Sequence, residues 1–377
     1  MNVPLSILDL APVSAGSDPA TALRNTVDLA QHAESWGYRR FWIAEHHFVA
    51  VASSSPAVLI GQIAAATHRI HVGAAAVQLG HHTALAVAEG FGMLAAFHPG
   101  RIDLGVGRSG QRRPQAQKDA AQQRAADPRP PKPPREWREV DGVVIPTPFN
   151  LRGMLSSERM RASMTVLQQE GAISPDFGDQ LDDILAMIDG TFTVDDIALH
   201  VVPAEGSGLV PWVFGSTKGQ SAQVAGERGL PFVASYHITP GTALEAVDAY
   251  RAAFRPSARL AEPYVVASAD VVVADHSATA RHLASTYGNW VYSIRALGGA
   301  VPYPDPDGTA PLTEEQADAV KDRTATQFVG DPDEVAHRLD ALQKLSGADE
   351  LVITSVTHRQ ADRLRSHELI AKRWGLG

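Results

Sequence analysis

Short apolar segments alternating with longer amphipathic ones dominate this chain, and that rhythm restricts it to folds built from β-α units on a parallel sheet. Leu5 to Leu10, Arg40 to Ala44, Ile70 to Leu79 and Arg101 to Val106 read as the first four strands. Pro19 to Trp36, Pro56 to Thr67 and Thr83 to Phe97 read as the helices between them. The first helix keeps Leu23, Val27, Ala30 and Ala33 on one side, with Asp18 placed to cap its start and Gly37 its end. Four units are complete by Gly107, half of what an eight-fold barrel needs.

The rhythm then stops. From Gln111 to Glu139 there is no Val, Ile, Leu, Met or Phe, but six prolines and eight basic residues. Such a stretch has too little apolar surface to offset the entropy of ordering it, and is expected to be mobile, as a lid or as a spacer. Two helices are expected next, within residues 156–190. Ser157 to Gln169 puts Met160, Met164 and Leu167 on one side; Gly178 to Asp189 does the same with Leu181, Ile184, Leu185 and Ile188, and Gly190 ends it.

The alternation resumes with strands at Pro211 to Phe214, Pro231 to Ser235, Tyr264 to Ala274 and Glu350 to Ser355. Helices are expected at Ser216 to Arg228, Thr242 to Phe254, from Ala278, at Asp331 to Leu345 and at Arg359 to Trp374. A Gly/Pro/Asp-rich loop runs from Gly298 to Pro311. A doubly wound sheet would carry a Gly-rich phosphate turn after its first strand, and Leu10-Ala11-Pro12-Val13 is not one. The expected fold is an α/β (β/α)8 TIM barrel, a single domain over residues 1–377, with a long insertion at 109–208 between strands 4 and 5.

Composition removes several chemistries. With no cysteine there are no disulfides, thiolate metal sites, iron–sulfur clusters or thiol nucleophiles, which fits a reducing cytoplasm. Lys and Arg number 33 against 42 Asp and Glu, and the resulting charge of −9 points to neither nucleic acid nor an anionic membrane. No basic segment followed by an apolar run opens the chain, and the longest apolar tract is broken by Ser268 and Asp270. A soluble, cytoplasmic protein is expected.

In such a barrel the chemistry sits at the C-terminal ends of the strands. The second strand runs into Glu45-His46-His47, which offers either an imidazole titrating near neutrality for acid–base work or a pair held by structural hydrogen bonds. No metal is expected there, because consecutive strand residues point to opposite faces and cannot all be inward ligands. Gly73, Ala74, Ala75 and Ala76 on the third strand leave room for a flat group, or for tight packing alone. Arg108 offers a bidentate fork, and Gly215-Ser216-Thr217 stands directly before a helix. Together they suggest a phosphate between the ends of strands 4 and 5.

Several runs, taken in order, resemble the bacterial luciferase-like flavin-dependent monooxygenase family. They are Leu8 to Val13, Phe41 to Phe48, Arg69 to Gly73, His98 to Arg108, Gly229 to Phe232 and Phe328 to Pro332. The resemblance implies reduced FMN supplied by a separate flavin reductase, and O2 taken up as a flavin C4a-hydroperoxide that oxygenates a small organic or natural-product substrate. It implies His46 as the catalytic acid/base and Ala75–Ala76 as a non-prolyl cis peptide against the isoalloxazine ring. Arg108, Gly215, Ser216 and Thr217 fall at its phosphate site, and a homodimer is implied. His47, His82, Tyr236 and His237 are candidate substrate contacts. Two departures stand out: Gly80-His81-His82 replaces Pro-Asn-His, and Gly107 replaces the reactive cysteine of bacterial luciferase. Two other readings remain, a 5-deazaflavin-dependent hydride-transfer oxidoreductase and a non-catalytic flavin-binding barrel.

Overall fold

A computed structural model describes residues 3–109, 136–150 and 157–376. Its centre is a ring of parallel strands: β1 (Leu5–Asp9), β2 (Arg40–Ile43), β3 (His71–Ala74), β4 (Ile102–Gly107), β5 (Pro211–Gly215), β6 (Phe232–Ala234), β7 (Val265–Val273) and β8 (Glu350–Thr354). Leu5 pairs with Leu351 and Leu104 with Pro211, so the sheet closes and leaves no edge. The structure is the expected eight-stranded TIM barrel, with helices flanking it.

Strand alternation sorts the apolar residues into two cores. Ile7, Phe41, Val72, Leu104, Val213 and Phe232 face outward and pack beneath the helices. Leu8, Trp42, Ala44, Trp212, Val233, Val266 and Val352 face inward and fill the barrel. The first helix, Pro19–Ser35, starts where expected: the Asp18 carboxylate accepts from the Thr21 N–H at 3.0 Å. No helix among the described residues is long and apolar enough to cross a membrane.

Four expectations need correction, and three short elements before Asp331 were not anticipated. The third strand is not continuous from Ile70 to Leu79: it breaks at Ala75–Ala76, whose peptide is cis, and resumes as Val77–Gln78 against β4. The helix after β5 spans Gln220–Glu227 rather than starting at Ser216, with Gly219 as its N-cap. The segment from Ala278 is two helices, Ser277–Leu283 and Tyr287–Ala296. Short helices at Glu314–Asp318 and Lys321–Thr326 lead to a strand, Phe328–Gly330, that pairs in parallel with the end of β7 outside the ring. Within the insertion, residues 111–135 of the expected mobile stretch lie outside the described residues, but its end enters a hairpin, Arg138–Val140 with Val143–Ile145. Asp141 and Gly142 turn that hairpin with positive φ at both positions, 51° and 79°.

The two insertion helices are Glu158–Val166 and Phe177–Asp189. Phe177, Leu181, Ile184 and Ile188 join the outer core, and Gly190 ends the second helix at φ 68° as its sequence implies. Gln180 donates to the carbonyls of Leu79 and His82, pinning this helix to the turn that follows β3.

Candidate active site

The barrel's inner core stops short of its C-terminal mouth, and above it lies a cavity of about 380 Å3. Ala75, Ala76 and Gly107 wall one side, while Arg108, Gly215 and Ser216 stand on the rim. His46, His237, Ser268, Asp270, Arg323 and Thr354 line the remainder. A Cβ built on Gly107 would sit 3.4 Å from that of Ala76, so any larger side chain there would intrude on the same wall. Of the small residues on the third strand, Gly73 serves packing instead: its missing Cβ leaves room for the Trp42 ring and the Asp103 carbonyl, each 2.6 Å from where it would stand.

β2 delivers the histidines. After Ile43 the chain is held by the Ala44 N–H on the Asp9 carbonyl and the His46 N–H on the Ser53 carbonyl, both 3.0 Å. Glu45, fully buried, accepts at Oε1 from His47 Nε2 and His82 Nε2, each at 2.9 Å, and at Oε2 from the Gln78 N–H at 2.9 Å. Burial pushes its carboxyl up, but the donors His82, Gln78 and His47 outweigh it and hold the group below the ordinary range. His47 and His82 therefore spend a ring nitrogen on Glu45. Of the adjacent pair, His47 makes the kind of structural hydrogen bond left open as the alternative.

His46 differs. Its Nδ1 is inaccessible and has no partner, and burial, aided by His47, lowers its pKa to about 4. It is a neutral imidazole at physiological pH, facing the cavity. His237 is held similarly, its pKa lowered to about 3 by burial and by the charge of Arg323, with Nδ1 2.5 Å from Ser268 Oγ.

The structure brings His46, Ala75, Ala76, Arg108, Gly215, Ser216 and His237 around one cavity. Thr217 is exposed in the turn beyond it, and His82 lies outside the lining, against Glu45. Tyr236 points away: its hydroxyl donates to the Val144 carbonyl at 2.6 Å, reaching the insertion hairpin rather than the mouth. Its neighbour His237, in the same turn after β6, lines the cavity instead.

A second chamber of about 250 Å3 adjoins the first, with Leu10, His46, Gln78, Trp290 and Ile294 lining both. Phe48, Val51, Met160, Met164 and Leu167 make its outer wall, so the expected apolar side of the first insertion helix faces this chamber. His47 also lines it. Sequence reading did not single out Arg323, Thr354, Ser268 or Trp290, which come together only through the barrel's topology.

The family model described as luciferase-like monooxygenase matches residues 3–139 and 183–349. The chain is 34% identical to the Bacillus subtilis protein YvbT over 98% of its own length and 96% of that protein. It is 31% identical to a luciferase-like monooxygenase of Escherichia coli K12, covering 97% of this chain and 96% of the relative. Among solved structures, apo-MsnO8 matches all of this chain and 99% of its own with a TM-score of 0.76 at 28% identity. The same fold, at 21% and 14% identity and TM-scores of 0.57 and 0.58, occurs in a Baeyer-Villiger monooxygenase component in complex with FMN and in an F420-dependent secondary alcohol dehydrogenase. The former covers 99% of this chain and 97% of its own; the latter covers 99% of both.

Proposed function

Because the chain belongs to the luciferase-like monooxygenase family, we propose that it is the oxygenating half of a two-component system. A separate flavin reductase supplies reduced FMN, and a small, mainly apolar organic molecule is the substrate. One oxygen atom of O2 enters that substrate and the other leaves as water, the two electrons coming from the reduced flavin. Bound reduced flavin supplies the activation of O2; the protein supplies position, dryness and a proton.

Arg108, Gly215 and Ser216 at the rim, with Thr217 in the same turn, would hold the phosphate. Ala75 and Ala76 would give the flat ring its wall. The reading is carried by His46: a neutral imidazole, its buried Nδ1 without a partner, lines the cavity whose rim bears Arg108 and Ser216. From there it can give or take a proton at the reacting oxygen. Glu45, ionised and engaged with His47 and His82, anchors the segment on either side of it. The apolar second chamber seats the substrate beside His46 and keeps water from the reaction. Exposed Val58, Leu85, Met93 and Phe97, on the helices after β2 and β3, support pairing into a homodimer.

The test is spectroscopic. The purified protein is mixed anaerobically with reduced FMN at micromolar concentration, O2 is admitted, and absorbance is followed; a parallel titration uses reduced 5-deazaflavin. Tight FMN binding and an oxygen-dependent absorbance transient are expected. Failure to bind reduced FMN, or tighter deazaflavin binding without oxygen consumption, overturns the reading.

A further inference from the structure

Three strands round the barrel from Arg108, the cavity wall carries a cation that flavin phosphate and His46 chemistry leave unused. Arg323, on the Lys321–Thr326 helix, reaches into the lining beside Asp270 of β7. Its Nη2 donates to the Tyr287 hydroxyl at 2.6 Å; that hydroxyl bonds Asp270, whose Oδ1 also accepts from Gln327 at 3.1 Å. Among the described residues no carboxylate lies within ion-pair distance of Arg323, and its Nε is buried without a partner. Thr354 Oγ1, at the end of β8, lines the same cavity and is likewise buried and unpartnered.

Burial works against the Arg323 charge and is outweighed by Tyr287 and Asp270, but its Nε–H is kept from water with no acceptor, and such a donor is costly unless something arrives to accept from it. Asp270 does not fill that role: it is reached only through Tyr287, and burial pushes its carboxyl up against the pull of Arg323. Arg295 shows the contrast in this same chain, with Nη1 and Nη2 on the two Asp322 oxygens at 2.6 and 2.8 Å.

We propose that Arg323 is the receptor for a planar, delocalised monoanion bound in this cavity, which accepts from its guanidinium and is backed by the Thr354 hydroxyl. The planar fork suits an acceptor edge that shares one negative charge over two atoms. Two molecules present that chemistry here. One is a substrate carboxylate whose apolar remainder lies in the Met160–Met164 chamber; the other is the pyrimidine edge of ionised reduced flavin. The inference rests on the flavin-cavity reading above for its second source only.

Wild-type protein, R323Q and R323K are compared in two arms. In the first, reduced and oxidised FMN are titrated anaerobically. In the second, protein loaded with oxidised FMN is titrated calorimetrically with octanoate and with octanamide. The wild type is expected to prefer the anionic partner by about tenfold in at least one arm, the weight of a charge-assisted hydrogen bond. R323Q should abolish that preference while leaving the neutral partner's affinity within about twofold. A preference in the first arm assigns the site to flavin, and one in the second to a substrate carboxylate. No preference in either arm, or an equal preference in R323Q, overturns the proposal. If R323Q does not fold, R323K, which keeps the charge but not the planar fork, must weaken the preference by about threefold or more; an unchanged one overturns it. A wild type that binds no FMN sinks the monooxygenase reading instead, and the octanoate arm on unloaded protein still reads Arg323.

Discussion

The two ends of the barrel hold similar polar groups and use them differently. At the N-terminal end Arg40 donates from Nη1 to Asp103 at 2.5 Å and from Nε to Glu350 at 3.3 Å, while its guanidinium lies 4.4 Å over the Trp212 ring. Glu350 also accepts from Ser6 and from the Tyr264 hydroxyl. No buried polar atom of these six side chains lacks a partner. At the mouth His46 Nδ1, Arg323 Nε and Thr354 Oγ1 are all buried and unspent. Folding alone explains the first set, because each group answers another. The second set borders a cavity that a ligand can enter, whereas other buried polar atoms without partners among the described residues, such as Trp42 Nε1, Arg363 Nε and Nη2 and His367 Nδ1, are packed inside the scaffold. Unspent polarity marks the site only where it lies against that cavity.

The largest effect should come from breaking the satisfied end. Arg40→Met leaves Asp103 and Glu350 buried without their cation, and is expected to cost about 3–5 kcal/mol in denaturant unfolding. Flavin affinity of the protein that remains folded should stay within about threefold. A variant that unfolds like the wild type but loses flavin would erase the distinction between the two ends.

The reverse pattern is expected at the mouth. His46→Ala removes a group with no internal partner at Nδ1, so stability should move by less than about 1 kcal/mol. Oxygenation, followed as substrate-dependent product formation with reduced FMN, should fall about 10²- to 10⁴-fold. A stability loss as large as that of Arg40→Met would place His46 in the scaffold.

Sequence legibility divides along the same line. The barrel was readable because its signals are local and periodic: Ile7 outward and Leu8 inward, Asp18 before a helix, Gly190 after one. Met160, Met164 and Leu167 were readable as one helix side for the same reason, though not what that side faces. The Asp141-Gly142 hairpin carried its own signal, a turn dipeptide between valines, that the basic Pro-rich run before it obscured. Tyr236 and His237 lie in the turn beyond β6, where strand alternation no longer sorts neighbours, so their separation was not legible. Arg323 was out of reach. It sits on a short helix far along the chain from Asp270 and Thr354, and only barrel closure brings the three to one wall.

The last expected effect concerns acid. His46 and His237 are held neutral by burial, with pKa values of about 4 and about 3, against about 6.5 in an unfolded chain. Between about pH 6.5 and 4 the unfolded state therefore binds more protons than the folded one, and stability falls as pH falls across that window. Above it, neither state is protonated and the dependence vanishes. Arg40 stays charged throughout and adds no slope of its own. Urea unfolding midpoints taken from neutral pH down to about pH 4 should decline in the wild type. They should decline less steeply in His46→Asn, which removes one titrating group from the mouth while keeping a polar side chain. An equally steep decline in the variant would mean that the His46 imidazole is not held neutral by its surroundings, and that its Nδ1 is spent in the folded chain like the ring nitrogens of His47 and His82.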